Sequence, residues 1–69
     1  MTIKKLALLD QRTVVLSDAI HVLEHEAECT MNMIDRMYLC EAVRILRMKR
    51  LETLERVHEL EEELEGAKA

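Results

Sequence analysis

The stretch Thr30-Met31-Asn32-Met33-Ile34-Asp35 decides the fold. No proline punctuates the chain and its single glycine is Gly66, so a break between helices has to show as a cap. Asn32 is a strong N-cap, because its side-chain oxygen can accept from the orphan N–H groups of a first helical turn. Asp35, three residues on, stands where a capping-box carboxylate reaches back to the cap. Downstream, the apolar pattern is helical and predicts a second helix over residues 33–65, with Gly66 as its C′ residue and Lys68 nearby. Upstream, Leu9, Leu16, Ile20, Leu23 and Ala27 follow a 4-3 spacing in which Thr13 fills the missing place. That predicts a first helix over residues 10–29, preceded by an N-terminal arm, residues 1–9, that either extends the helix or is irregular.

The expected fold is all-α: a two-helix antiparallel hairpin with a long second helix, one domain over residues 1–69. In the second helix Leu39, Val43, Leu46, Arg50, Thr53, Val57, Leu60 and Leu64 hold a 4-3 spacing, with polar residues interrupting it at Arg50 and Thr53 and apolar Leu51 and Leu54 beside it. A first helix beginning near residue 10 covers the second only to about residue 50. Leu51, Leu54, Val57, Leu60 and Leu64 are then too many apolar side chains to leave in water. The first helix also carries a second stripe, Val15, Ala19 and Val22, and a helix with two apolar stripes is usually covered on two sides. Both observations predict a homodimer whose interface holds these eight residues, and so short a chain gains little net stability from its own core.

Composition narrows the function classes. Ten Lys and Arg stand against fourteen Asp and Glu, a net charge of −4, which is not the balance of a general nucleic-acid binder. The one aromatic residue is Tyr38, and the scarcity of aromatic and turn residues excludes an all-β domain. No signal peptide and no apolar run of about 18 residues is read, so the chain is expected to be cytoplasmic, without a membrane span and with Cys29 and Cys40 reduced.

Few residue groups suggest chemistry. His21, His25 and Cys29 fall at i, i+4 and i+8 on one face, and His at i and i+4 is a real metal-ligand spacing, yet no third and fourth ligand are supplied at a recognisable separation; no metal and no cofactor is expected. Ser17 has Asp18 and His21 near it on the helix surface, but no oxyanion hole can form there and no glycine-rich phosphate loop exists, so the chain reads as a non-enzyme. Arg44, Arg47, Lys49 and Arg50 offer a basic face for nucleic acid, the alternative reading of a small DNA-associated regulator, opposed by the acidic residues two turns on. The leading candidate is a protein-binding patch of Tyr38, Arg36, Met37 and Glu41. Tyrosine is enriched at binding hot spots and methionine at adaptable binding surfaces.

Taken whole, the size, the two-helix layout and the stretch Met33-Ile34-Asp35-Arg36-Met37-Tyr38-Leu39-Cys40 resemble the small all-helical inhibitors that bacteriophages make early in infection, of the quorum-sensing anti-activator type of Pseudomonas phages. The resemblance implies a homodimer in the host cytoplasm that binds host proteins. It points to the DNA-binding domain of a LuxR-type transcription factor and a pilus-assembly ATPase. The site residues named above come from the residues themselves and not from the resemblance.

Overall fold

A computed structural model describes residues 2–68, with side chains through Gly66. It is an antiparallel pair of helices, α1 (Thr2–Cys29) and α2 (Met33–Lys68), joined by residues 30–32. The result is a bar 55 × 14 × 13 Å across its Cα atoms.

The turn is built as its residues dictate. The Asn32 side-chain oxygen accepts from the N–H groups of Ile34 at 2.9 Å and Asp35 at 3.2 Å, which satisfies two orphan donors of α2. The reciprocal half of a capping box is replaced: the Asn32 N–H points to Thr30 Oγ1 at 3.4 Å. Asp35 remains in the first turn of α2, where the helix dipole favours an anion. On the other side of the turn, the Thr30 N–H closes α1 onto the Glu26 carbonyl at 2.9 Å. The Arg36 guanidinium donates to the Thr30 carbonyl at 2.9 Å, placing a cation where α1 ends among its own carboxylates.

Two boundaries differ from the sequence expectation. There is no irregular arm over residues 2–9: α1 begins at Thr2, while Met1 lies outside the described residues. Leu6 and Leu9 are half-buried and extend the 3-4 seam by another heptad, and this packing outweighs the modest helix propensity of Thr2 and Ile3. At the other end Gly66 is helical rather than a left-handed C′ residue, since no described glycine has a positive φ.

The longer α1 changes the core. Leu6, Leu9, Thr13, Leu16, Ile20, Leu23 and Ala27 face Leu39, Val43, Leu46, Arg50, Thr53, Val57, Leu60 and Leu64, every one buried or half-buried. Val57 is 7% and Leu60 2% exposed within a single chain. Their expected place in a dimer interface is therefore corrected: α1 reaches far enough to cover them, and half-buried Leu64 lies on the same seam. The polar interruption is satisfied internally. Thr53 Oγ1 donates to the Lys49 carbonyl at 2.8 Å, Thr13 Oγ1 to the Leu9 carbonyl at 3.0 Å, and Arg50 reaches Ser17 Oγ at 3.4 Å. Among the described residues no buried side-chain nitrogen or oxygen lacks a partner. None of the described helices is long and apolar enough to cross a membrane.

Candidate protein-binding surface

A two-helix bar has one seam and much surface, so apolar residues off the seam stand in water. They concentrate at the turn. Met31 is 98% exposed and Tyr38 73%, with Met33, Ile34 and Met37 also exposed. The seam runs through Leu39 and Val43, so at about 100° per residue Met37, Tyr38 and Glu41 share the outward third of α2. Three residues of the expected patch therefore come together. Arg36 does not join them. It lies on the seam side of α2, lining a depression with Ala27, Glu28 and Cys40, and its guanidinium is engaged on the Thr30 carbonyl. Its role in the fold is to close the turn.

Glu41 is held by Arg44, whose Nε donates to Oε2 at 3.1 Å while Nη2 donates to Oε1. That bidentate hydrogen bond, with the nearby positive charge, draws the Glu41 carboxyl below the ordinary carboxylate range and raises Arg44. The pair thus sits beside Met37 and Tyr38 as a neutralised polar rim. Arg44 also points Nη1 at Met48 Sδ, 3.7 Å away.

The basic residues do not make one face. Arg44 is paired with Glu41, Arg47 with Glu24 of α1 at 2.8 Å, and Arg50 turns into the seam toward Ser17. Lys49 projects from the other broad side of the hairpin, with Arg56 and Glu52. Such partners lower the positive potential that a phosphate backbone would meet.

Along the outside of α1, His25 Nε2 lies 3.7 Å from Cys29 Sγ, as i,i+4 spacing requires. His21 adds no third ligand: among the described residues no group of three or more His, Cys, Asp or Glu is placed to hold a metal ion. Cys29 and Cys40 are both free and exposed. One depression, of about 500 Å³, opens to solvent between Glu26, Cys29, Thr30, Asp35, Tyr38 and Leu39.

The remaining residues expected at a dimer interface divide between the two broad sides of the hairpin. Val15 and Val22 are exposed and Ala19 is half-buried, all on the side that carries Tyr38. Leu51 and Leu54 are exposed on the opposite side, seven residues beyond Arg44 and Arg47. The side bearing Val15 and Tyr38 also holds Ala42 and Ile45. Sequence reasoning missed this combined surface, although the seven-residue step from Tyr38 to Ile45 marks it.

No family model matches the chain, and neither the curated proteins nor the solved structures contain a match to it.

Proposed function

We propose that this chain is a non-enzymatic helical homodimer that binds other proteins and inhibits them by occupying a surface. The observation that carries the reading is the exposure of Met31, Met33, Ile34, Met37 and Tyr38 around one rigid, capped turn. Leaving five large apolar side chains at one end of so small a molecule costs solubility unless something covers them. Their chemistry is that of a docking tip: adaptable methionines around one tyrosine, rimmed by the Glu41–Arg44 pair. Among the described residues, those lining the main depressions do not bring together the convergent polar groups that catalysis requires.

The resemblance of residues 33–40 to phage anti-activators directs the choice of target. We take the DNA-binding domain of a LuxR-type transcription factor and a pilus-assembly ATPase as the proteins to test, both met in the host cytoplasm. Titration of the purified chain into each, followed by calorimetry, should give saturable binding, and on the transcription factor it should displace operator DNA. Tyr38→Ala should weaken binding about thirtyfold, the ~2 kcal/mol typical of a truncated hot-spot tyrosine, while helicity is kept. Absence of saturable binding to both proteins overturns the choice of targets. Unchanged affinity in Tyr38→Ala and Met37→Asp overturns the patch. The alternative, a DNA-associated regulator using Arg44, Arg47, Lys49 and Arg50, requires binding to random duplex with a steep salt slope. The engagement of Arg44, Arg47 and Arg50 within the hairpin speaks against it.

A further inference from the structure

Two rows of residues flank the seam on the side that carries Tyr38. An α-helix returns to nearly the same face after seven residues, so Lys5, Arg12, Ala19 and Glu26 form one row on α1, and Arg56, Lys49, Ala42 and Asp35 form the other on α2. From the open end toward the turn, both rows run basic, basic, small, acidic. The depressions follow the same order. Arg12, Lys49 and Arg56 line one of about 360 Å³ with a single carboxylate, Glu52. Glu26 and Asp35 line the one beside Tyr38, which has no cation. Between these poles Ala19 and Ala42 are half-buried, and Val15, Val22 and Ile45 stand exposed on the banks.

The basic pole works against the stability of the hairpin. Arg12 and Arg56 line the same two depressions, so like charges face each other across the seam, which destabilises a helix pair. On the opposite broad side opposite charges cross the seam, Arg47 to Glu24 at 2.8 Å. Arg56 takes Glu59 of its own helix at 3.0 Å. Among the described residues neither Arg12 nor Lys49 makes an ion pair. One step further out, α2 carries Glu63 at the level of Lys5, and the cationic stretch ends there.

We propose that this side is a groove for one amphipathic helix of a partner protein, lying along the seam as a third helix. Its acidic end lies over Arg12, Lys49 and Arg56, and its basic end over Glu26 and Asp35. The inference rests on the protein-binding reading above and names the element of the partner that Tyr38 engages. Rows that repeat every seven residues present charges about 10.5 Å apart, the repeat of a facing helix. The two alanines let that helix approach closely in the middle, where its apolar stripe meets Val15, Val22 and Ile45. Arg12 and Glu26 stand two heptads apart, about 21 Å, so a partner helix of about four turns spans both poles. A nucleic-acid duplex or an anionic bilayer carries one sign of charge along its length, and would meet Glu26, Asp35 and Glu52 as well as the cations. The groove leaves the opposite broad side, with Leu51 and Leu54, uncovered for a second copy of the chain.

The test uses two synthetic helical peptides of one composition, about three heptads long, with leucine at the a and d positions. In one, glutamates flank the leucines in the first half and lysines in the second. In the other the two charges alternate. Labelled, kept dilute and titrated with the full chain at low salt, the polarised peptide should bind about tenfold more tightly than its isomer by fluorescence anisotropy. Arg12→Glu/Lys49→Glu should weaken that binding about tenfold while Tm holds or rises, because neither cation makes an ion pair and a carboxylate at residue 12 faces Arg56. Ala42→Arg, which fills the middle of the groove, should weaken it as much. Both variants should also weaken capture of the protein targets, as Tyr38→Ala does. Equal affinity for the two peptides, absence of binding included, overturns the groove, as does affinity unchanged in both variants. Targets bound through Tyr38 but no less well by the two groove variants also overturn it, and leave the protein-binding reading standing. Polarised binding without binding to either target supports the groove and overturns only the choice of targets. Random duplex DNA bound in preference to the polarised peptide, and released by Arg12→Glu/Lys49→Glu, overturns the helical occupant. Self-association abolished by Ala42→Arg, with no peptide bound, overturns it in favour of a second copy.

Discussion

Leu60→Ala tests whether the seam alone holds the far end of the hairpin. Leu60 is 2% exposed and shares a depression with Lys5, Leu8, Leu9 and Arg12 of α1, so its burial depends on α1 continuing to Thr2. The substitution removes three carbons, about 2 kcal/mol at ~0.8 kcal/mol per methylene. The cavity adds a little, because the site lies in a bar one helix pair thick and can partly collapse or admit water. Better helix propensity returns only a few tenths. A net loss of about 2–3 kcal/mol results, against a total of roughly 3–10 kcal/mol expected for 69 residues. In a domain this small that lowers Tm by roughly 10–20 °C. Thermal and urea melts followed by helical circular dichroism at fixed protein concentration measure it, with Leu51→Ala as the exposed control, expected within about 0.5 kcal/mol of wild type. Equal, small effects of the two substitutions would refute the packing of Leu60 against α1.

Asn32→Ala should cost about 1 kcal/mol, read from the same melts, because two first-turn N–H groups lose their acceptor. Gly66→Ala should stabilise slightly, by up to about 0.5 kcal/mol, since Gly66 is helical and a Cβ there meets nothing within 4 Å; destabilisation would place it in a left-handed C-cap instead. A carboxyl-resolved NMR titration should show Glu41 taking up its proton below the ordinary glutamate midpoint of about 4.3, and Arg44→Gln should return it to that midpoint. The folded-state pKa is depressed, so the contribution of the pair is present above the unfolded midpoint and is lost as pH falls through the folded one.

Much of the fold is legible in the sequence because the determining features are local or periodic. The Asn32 cap and the 4-3 series from Leu39 to Leu64 need no knowledge of the partner helix. The start of α1 is a different case. Thr2 and Ile3 favour extended backbone, and only the burial of Leu6 and Leu9 against α2, a long-range effect, makes the helix continue. That eight-residue difference moved Val57, Leu60 and Leu64 from an expected interface into the chain's own seam. The site is less legible for a related reason. Tyr38, Met37 and Glu41 stand together because one helix carries them, whereas Arg36, adjacent in sequence, is turned away by the hydrogen bond it makes across the turn. The seven-residue step from Tyr38 to Ile45 marks one half of the surface shared with Val22, but which part of α1 lies beside it depends on the register between the helices, which no pattern within one helix gives.

The three-residue turn also orders the events of folding. Once residues 30–32 are closed under the Asn32 cap, each further layer of the seam adds beside the last and requires no new loop closure. The hairpin can therefore zip from the turn toward Leu6 and Leu60. On that order, interactions at the turn are expected to form before the barrier is crossed and those at the open end after it. Weakening Asn32 then slows folding, while weakening Leu60 speeds unfolding. On this order the exposed residues Met31, Met33, Ile34, Met37 and Tyr38 belong to the part of the molecule that assembles first and opens last.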